Sequence, residues 1–139
     1  MIRISDIPKG NSRDDIKARE KVIDTVFREW HKEHPSGKVY NADLKDYIKV
    51  IHISLVEAIE HSAKSYLSTL AAIQIDVVLR SAVCVGKPGP IKQNDANQRK
   101  FIKMQVMKCK LVGIGNVKLT VGIRKSKEKV QYCITAIRT

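Results

Sequence analysis

The chain has 139 residues with 26 Lys+Arg against 14 Asp+Glu, a formal net charge of +12, and an apolar fraction of 43%. That length fits one domain, taken over residues 1–139, and excludes two full ones. No apolar run nears the ~18–20 residues that span a bilayer, the first residues are too polar for a secretory leader, and three cysteines at wide spacing make no disulfide framework; a cytoplasmic protein with free thiols is expected.

In chain order, residues 1–11 form an extended lead-in. Ser12, followed by Asp15 at the third position, opens a helix as a capping box, and Ile16, Ile23, Val26, Phe27 and Trp30 recur at helical spacing as one buried stripe. Pro35-Ser36-Gly37 stops it, with His31, Lys32 and His34 near its C-terminal end. The pair His31/His34 lacks an apparent third ligand, so no metal site is assigned, and no cofactor is expected. Residues 38–41 suggest a short strand or turn, and 47–53 a strand in which His52 is a packed or edge residue. Ser54 with Glu57 repeats the capping pattern and predicts a helix over about 55–66; Ser68 predicts the cap of a third over about 69–82.

Residues 86–98 are a long polar loop with Pro88, Gly89 and Pro90. Beyond it the period changes to two, predicting strands at 100–110, 117–125 and 130–138 joined by hairpin-length connections. In the middle strand Val117, Leu119, Val121 and Ile123 share one face and Lys118, Thr120, Gly122 and Arg124 the other. In the last strand alternation places Val130, Tyr132, Ile134 and Ala136 on the core side, and Gln131, Cys133, Thr135 and Ile137 opposite. The first strand puts Lys103 and Gln105 on one face and Lys108 and Lys110 on the other, which suggests a bulge or a strand end. The expected fold is α+β: N-terminal helices packed on one face of a three- to four-stranded antiparallel meander, with 1–44 a helical extension and 45–139 the core.

The charge is uneven. Residues 1–66 carry 12 Lys+Arg against 11 Asp+Glu, and residues 67–139 carry 14 against 3. A sheet with that surplus is expected to face a polyanion, RNA or DNA being the commonest. Lys118 and Arg124, joined by Lys103, are candidate phosphate ligands; Thr120, Gln131 and Thr135 are candidate hydrogen-bond donors to sugar or base. Tyr132 is expected to pack in the core with its hydroxyl at the rim, base stacking being the alternative. Arg99 and Lys100, with Lys87 and Lys92, surround the polar loop and suit a clamp on a strand. His61, Ser62 and Lys64 stand near the end of the second predicted helix. A histidine there suits proton transfer from a ribose 2′-hydroxyl, and Lys64 suits phosphate neutralisation; the alternative is that His61 and Lys64 satisfy helix-end carbonyls.

The segments YIKVIHIS at 47–54, HSAK at 61–64, RSAV at 80–83, FIKM at 101–104, KLTVG at 118–122 and QYCIT at 131–135 come in a helix–loop–meander order. Over about residues 45–137 this resembles the barnase/EndoU/colicin/RelE-like nuclease superfamily, in the branch attached to polyvalent proteins of phages and conjugative elements. The resemblance implies a small, toxin-like RNA-binding protein of a mobile genetic element, a metal-independent endoribonuclease with His61, Lys118, Arg124 and Thr135 as catalytic candidates. Two features depart from the family pattern: no acid lies on the predicted sheet apart from Glu128 in a turn, and no histidine follows residue 61. Two other readings therefore stay open, a non-catalytic nucleic-acid-binding or accessory module, and a protein whose basic patch mates with an acidic partner or inhibitor.

Overall fold

The computed structural model describes residues 3–51 and 59–137. Helix α1 (Arg13–Glu33) starts where the sequence places it: the Ser12 hydroxyl oxygen accepts the Asp15 amide, and Asp14 and Asp15 stand in the first turn against the positive end of the helix. Its buried side chains are Arg19, Ile23, Phe27 and Trp30. Strands β1 (Lys38–Asn41) and β2 (Asp46–Lys49) form a hairpin. Residues 59–62 are helical, followed by α2 (Tyr66–Ala72) and α3 (Ile75–Ser81). Strands β3 (Val83–Cys84), β4 (Lys103–Leu111), β5 (Gly115–Ile123) and β6 (Lys129–Ala136) complete the chain.

The predicted helices shift. The one expected over 55–66 has ended by Ala63, and the one over 69–82 is two helices broken at Ile73-Gln74. Ser65, and not Ser68, caps α2, because its hydroxyl accepts the Ser68 amide. His52 and the Ser54/Glu57 box lie outside the described residues.

Among the described residues the sheet has six strands in the order β1-β2-β6-β5-β4-β3 and is mixed, where three or four antiparallel strands are expected from the sequence. The three long strands do form an antiparallel meander, but β2 joins β6 in parallel through Ile48↔Lys129 and Lys49↔Val130. One face carries the main core: Ile23, Phe27 and Trp30 of α1 and Ile75, Val78 and Leu79 of α3 meet Met107, Val117, Leu119, Val121 and Ile134. Fully burying each such side chain contributes about 1.5–3 kcal/mol.

Arg19 ties the N-terminal segment to this body. It is wholly buried, its Nε donates to the Ala63 carbonyl at 2.8 Å, and one terminal nitrogen donates to the carbonyls of Pro8 (2.9 Å) and Gly10 (2.6 Å). No helix among the described residues is long and apolar enough to cross a membrane.

Candidate nucleic-acid cleft

The second face of the sheet is divided. Across Lys118↔Thr135 and Thr120↔Cys133 the alternation of β5 and β6 runs as the sequence suggests. The register then shifts, pairing Val121 with Gln131, so that Tyr132 is the extra residue of a β-bulge. The bulge exchanges two assignments. Gln131 is wholly buried on the core side, in one row with Gln105 and Val121, and neither side-chain polar atom has a hydrogen-bond partner among the described residues. Tyr132 moves to the second face, beside Cys133.

There Tyr132 packs with Phe101, Met104 and Val130 in a small separate core. The 86–98 loop closes over it. Gly89 and Met104 exchange backbone hydrogen bonds at 2.8 and 2.9 Å, and Gln98 Oε1 accepts the Lys92 amide. Phe101, just after the short 3-10 turn Gln98–Lys100, lies flat against Gly122, where a Cβ would stand 2.5–2.6 Å from three ring atoms. No residue with a side chain can occupy that contact without displacing the ring.

The other half of this face stays open as a cleft of about 470 Å³. His61, Lys118, Thr120 and Thr135 line it, with Lys87, Lys92 and Asp95 from the loop and Tyr132 and Cys133 from β6. Three of the four catalytic candidates thus meet, although His61 and Thr135 are 74 positions apart in the chain. The placement of His61 has a local cause. Beyond the two β2 pairs, no strand among the described residues pairs with this edge of β6. Ser62, wholly buried, donates its hydroxyl to the Ile134 carbonyl, and the Ser68 hydroxyl accepts the Ala136 amide at 2.9 Å. The 61–68 segment is therefore fastened along that edge, which turns exposed His61 over the open face. Ser62 serves this fastening and does not reach solvent, as the sequence suggested it would.

Other candidates lie elsewhere. Arg124 follows the end of β5 and donates to Glu128 Oε1 at 3.0 Å. Six residues of strand, ~20 Å at 3.3 Å each, separate it from Lys118, and the Phe101 layer intervenes. Lys103 shares the core-side parity of Gln105 and Met107, exposed beyond the helices, so it does not join Lys118. Strand β4 pairs continuously with β5 without a bulge; what disturbed its pattern is Gln105, buried, with its amide donating to the carbonyls of Gly86 and Val106. Arg99 is exposed on the loop's short turn, outside the cleft, and Lys64 lines a second hollow.

Two contributors escaped the sequence reading. Asp95 brings a carboxylate into the cleft, where Tyr132 donates its hydroxyl to Oδ2 at 3.2 Å. Lys108 stands directly across from Lys118 on the open face, with Lys110 two residues further along β4. Facing lysines on neighbouring strands repel one another. At the far end three cations are paired locally: Glu128 accepts from Lys49 and Arg124, and Asp46 from Lys129 at 2.8 Å. Both carboxyls are held below the usual carboxylate range, Glu128 chiefly by the Lys49 hydrogen bond and Asp46 chiefly by that of Lys129. Lys103, Lys125 and Lys127 at that end are exposed and have no ion pair among the described residues, so uncompensated charge remains at both ends of the sheet.

No family model, no curated protein and no solved structure matches the chain.

Proposed function

We propose that this protein binds a single strand of RNA across the open half of its sheet and cleaves it in the cleft without a metal ion, as the nuclease resemblance implies. The observation that carries the reading is the convergence of His61, Lys118, Thr120 and Thr135 in one cleft, with Lys108 directly across from Lys118. Lys118, with Lys87 and Lys92 from the facing loop, holds a phosphodiester and offsets the charge that grows on its non-bridging oxygens. His61 takes the proton of the ribose 2′-hydroxyl as that oxygen attacks phosphorus. The bond from phosphorus to the 5′-oxygen breaks, the imidazolium returns its proton to the departing oxygen, and the products are a 2′,3′-cyclic phosphate and a 5′-hydroxyl end. Thr120 and Thr135 hydroxyls supply hydrogen bonds to sugar or phosphate.

The test is cleavage of a fluorogenic RNA oligonucleotide in EDTA. His61→Ala should slow it by about 10²–10⁴-fold, the range for a positioned proton-transfer group, and Lys118→Ala should weaken binding and turnover together. Arg124→Ala should leave both unchanged, and a substrate with 2′-deoxyribose at the scissile position should bind uncut. Salt-dependent RNA binding with no cleavage by the wild-type chain would leave an RNA-binding module and remove the catalytic assignment of His61. No RNA binding at all, with capture of an acidic protein instead, would overturn the reading entirely.

A further inference from the structure

A second hollow of about 490 Å³ lies at the end of β6. Its lining includes Lys9, Lys64, Tyr66 and Leu67, with Ala136 and Ile137 at the end of β6. Two chain segments run from one to the other: His61 lines the cleft and Lys64, three residues on, the hollow; Thr135 lines the cleft and the next residue, Ala136, the hollow. The Lys9 ammonium stands 5.5 Å from the centre of the Tyr66 ring, and Leu67 and Ile137 are about two-fifths exposed beside it. None of the described lining residues is acidic. Lys9 is held in place: the carbonyls before and after it, of Pro8 and Gly10, are both gripped by buried Arg19. An aromatic ring, apolar neighbours and two lysines form the combination that takes a nucleotide, the base against the ring and the phosphate against the ammonium groups.

We infer that this hollow is a second nucleotide subsite, which takes the base and phosphate flanking the nucleotide held in the cleft. It rests on the RNA-binding reading above and adds a length requirement to it. Lys9 comes from the N-terminal segment, so that segment belongs to the binding surface.

The probes are a 2′-O-methyl uridine dinucleotide and the corresponding hexanucleotide, which cannot be cut, titrated by fluorescence anisotropy over a range of salt. The hexamer should bind the full chain more tightly and with a steeper salt dependence. The double variant Lys9→Ala/Lys64→Ala should lower the hexamer's log–log salt slope by about 1.4, at ~0.7 for each phosphate contact on a single strand, and leave the dinucleotide unchanged. Tyr66→Leu should weaken the hexamer by roughly 5- to 150-fold, the range of one lost stacking contact. If Lys118→Ala weakens the dinucleotide while the double variant leaves the hexamer untouched, the second subsite fails and the cleft stands. Equal losses for both probes also overturn the subsite. If neither probe binds the wild-type chain, the cleft reading falls and the subsite with it.

Discussion

Replacing Arg19 with Met removes the guanidinium and keeps the length of an apolar stem. Three hydrogen bonds disappear, at 2.8, 2.9 and 2.6 Å, to Ala63, Pro8 and Gly10. The loss is not three full bonds. Pro8 is half-buried and Gly10 exposed, so water replaces the arginine there, whereas the bond to Ala63 is buried. One orphaned buried carbonyl costs about 1–3 kcal/mol, and removing a buried charge returns part of that as relieved desolvation. A net loss of about 2 kcal/mol follows, a fall in Tm of roughly 5–10 °C for a domain of this size. Urea and thermal denaturation measure it. A second effect separates this account from a general core defect: freed of its clamp, the segment around Lys9 should be cut by trypsin at rates well above those of the wild type under native conditions. Arg19→Lys should reproduce both effects, because one ammonium cannot span three carbonyls in that geometry. Unchanged Tm together with unchanged trypsin sensitivity at Lys9 would refute the clamp and undercut the second subsite, which depends on it.

Gly122→Ala should destabilise by about 1–3 kcal/mol, read as a lowered urea midpoint, because the new methyl meets the Phe101 ring at 2.5–2.6 Å; adding Phe101→Leu should recover part of the loss. Gln131→Met should have the opposite sign and stabilise by about 1 kcal/mol, since it removes a wholly buried amide with no partner among the described residues; a lower Tm would show that the amide is satisfied after all. For Asp46 and Glu128 the folded pKa lies below the unfolded one, so their contribution is present above the unfolded value and lost as pH falls through the folded value. Stability should therefore decline below about pH 4.5, and Asp46→Asn should flatten that decline measured by urea titration; an unaltered acid limb would exclude the Lys129 contact as a cause. Lys108→Ala should raise stability by about 0.2–1 kcal/mol by relieving its repulsion with Lys118, while weakening RNA binding and its salt dependence; a loss on both counts would mean that Lys108 is there for packing.

What the sequence disclosed was what depends on near neighbours. Ser12 and Asp15 are three positions apart, and a cap needs nothing else; the β4–β5 and β5–β6 hairpins follow from alternation and short connections. Lys118, Thr120 and Thr135 were legible as one face for the same reason. The β2–β6 parallel pair was not, because its partners are about eighty residues apart and no local pattern marks them. The bulge at Tyr132 is hidden in a strand whose own alternation is clean, since an extra residue is defined only against the partner strand; parity counting sends Gln131 to the surface and Tyr132 to the helix-side face, although Tyr132 is buried as expected, in the smaller core, with its hydroxyl on Asp95. Gln105 misled in the same direction, as a polar residue whose amide is satisfied by two backbone carbonyls inside. Asp95 carried no signal, because a loop has no period and only its fold over the sheet brings the carboxylate to Tyr132. The sequence also groups Lys103, Lys118 and Arg124 on one face; of these only Lys118 lines the cleft, Lys103 having the core-side parity and Arg124 being paired with Glu128.

The way the sheet's charge is divided bears on which half is functional. At the far end, Lys49, Arg124 and Lys129 meet Glu128 and Asp46 within 3.0 Å, an arrangement that folding alone favours, if weakly at an exposed surface. Beside the cleft, Lys108 faces Lys118 directly, an arrangement that folding alone disfavours. A glutamate in place of Lys108 would relieve the repulsion and form a cross-strand ion pair, so stability gives no reason for the lysine. The proposed reading supplies one: an anion with charge to share between them, such as a phosphodiester chain with a charge at each nucleotide. Under the proposed RNA-binding reading, repulsion in the empty protein would be released when the strand binds, so the two side chains that cost stability alone would strengthen the complex.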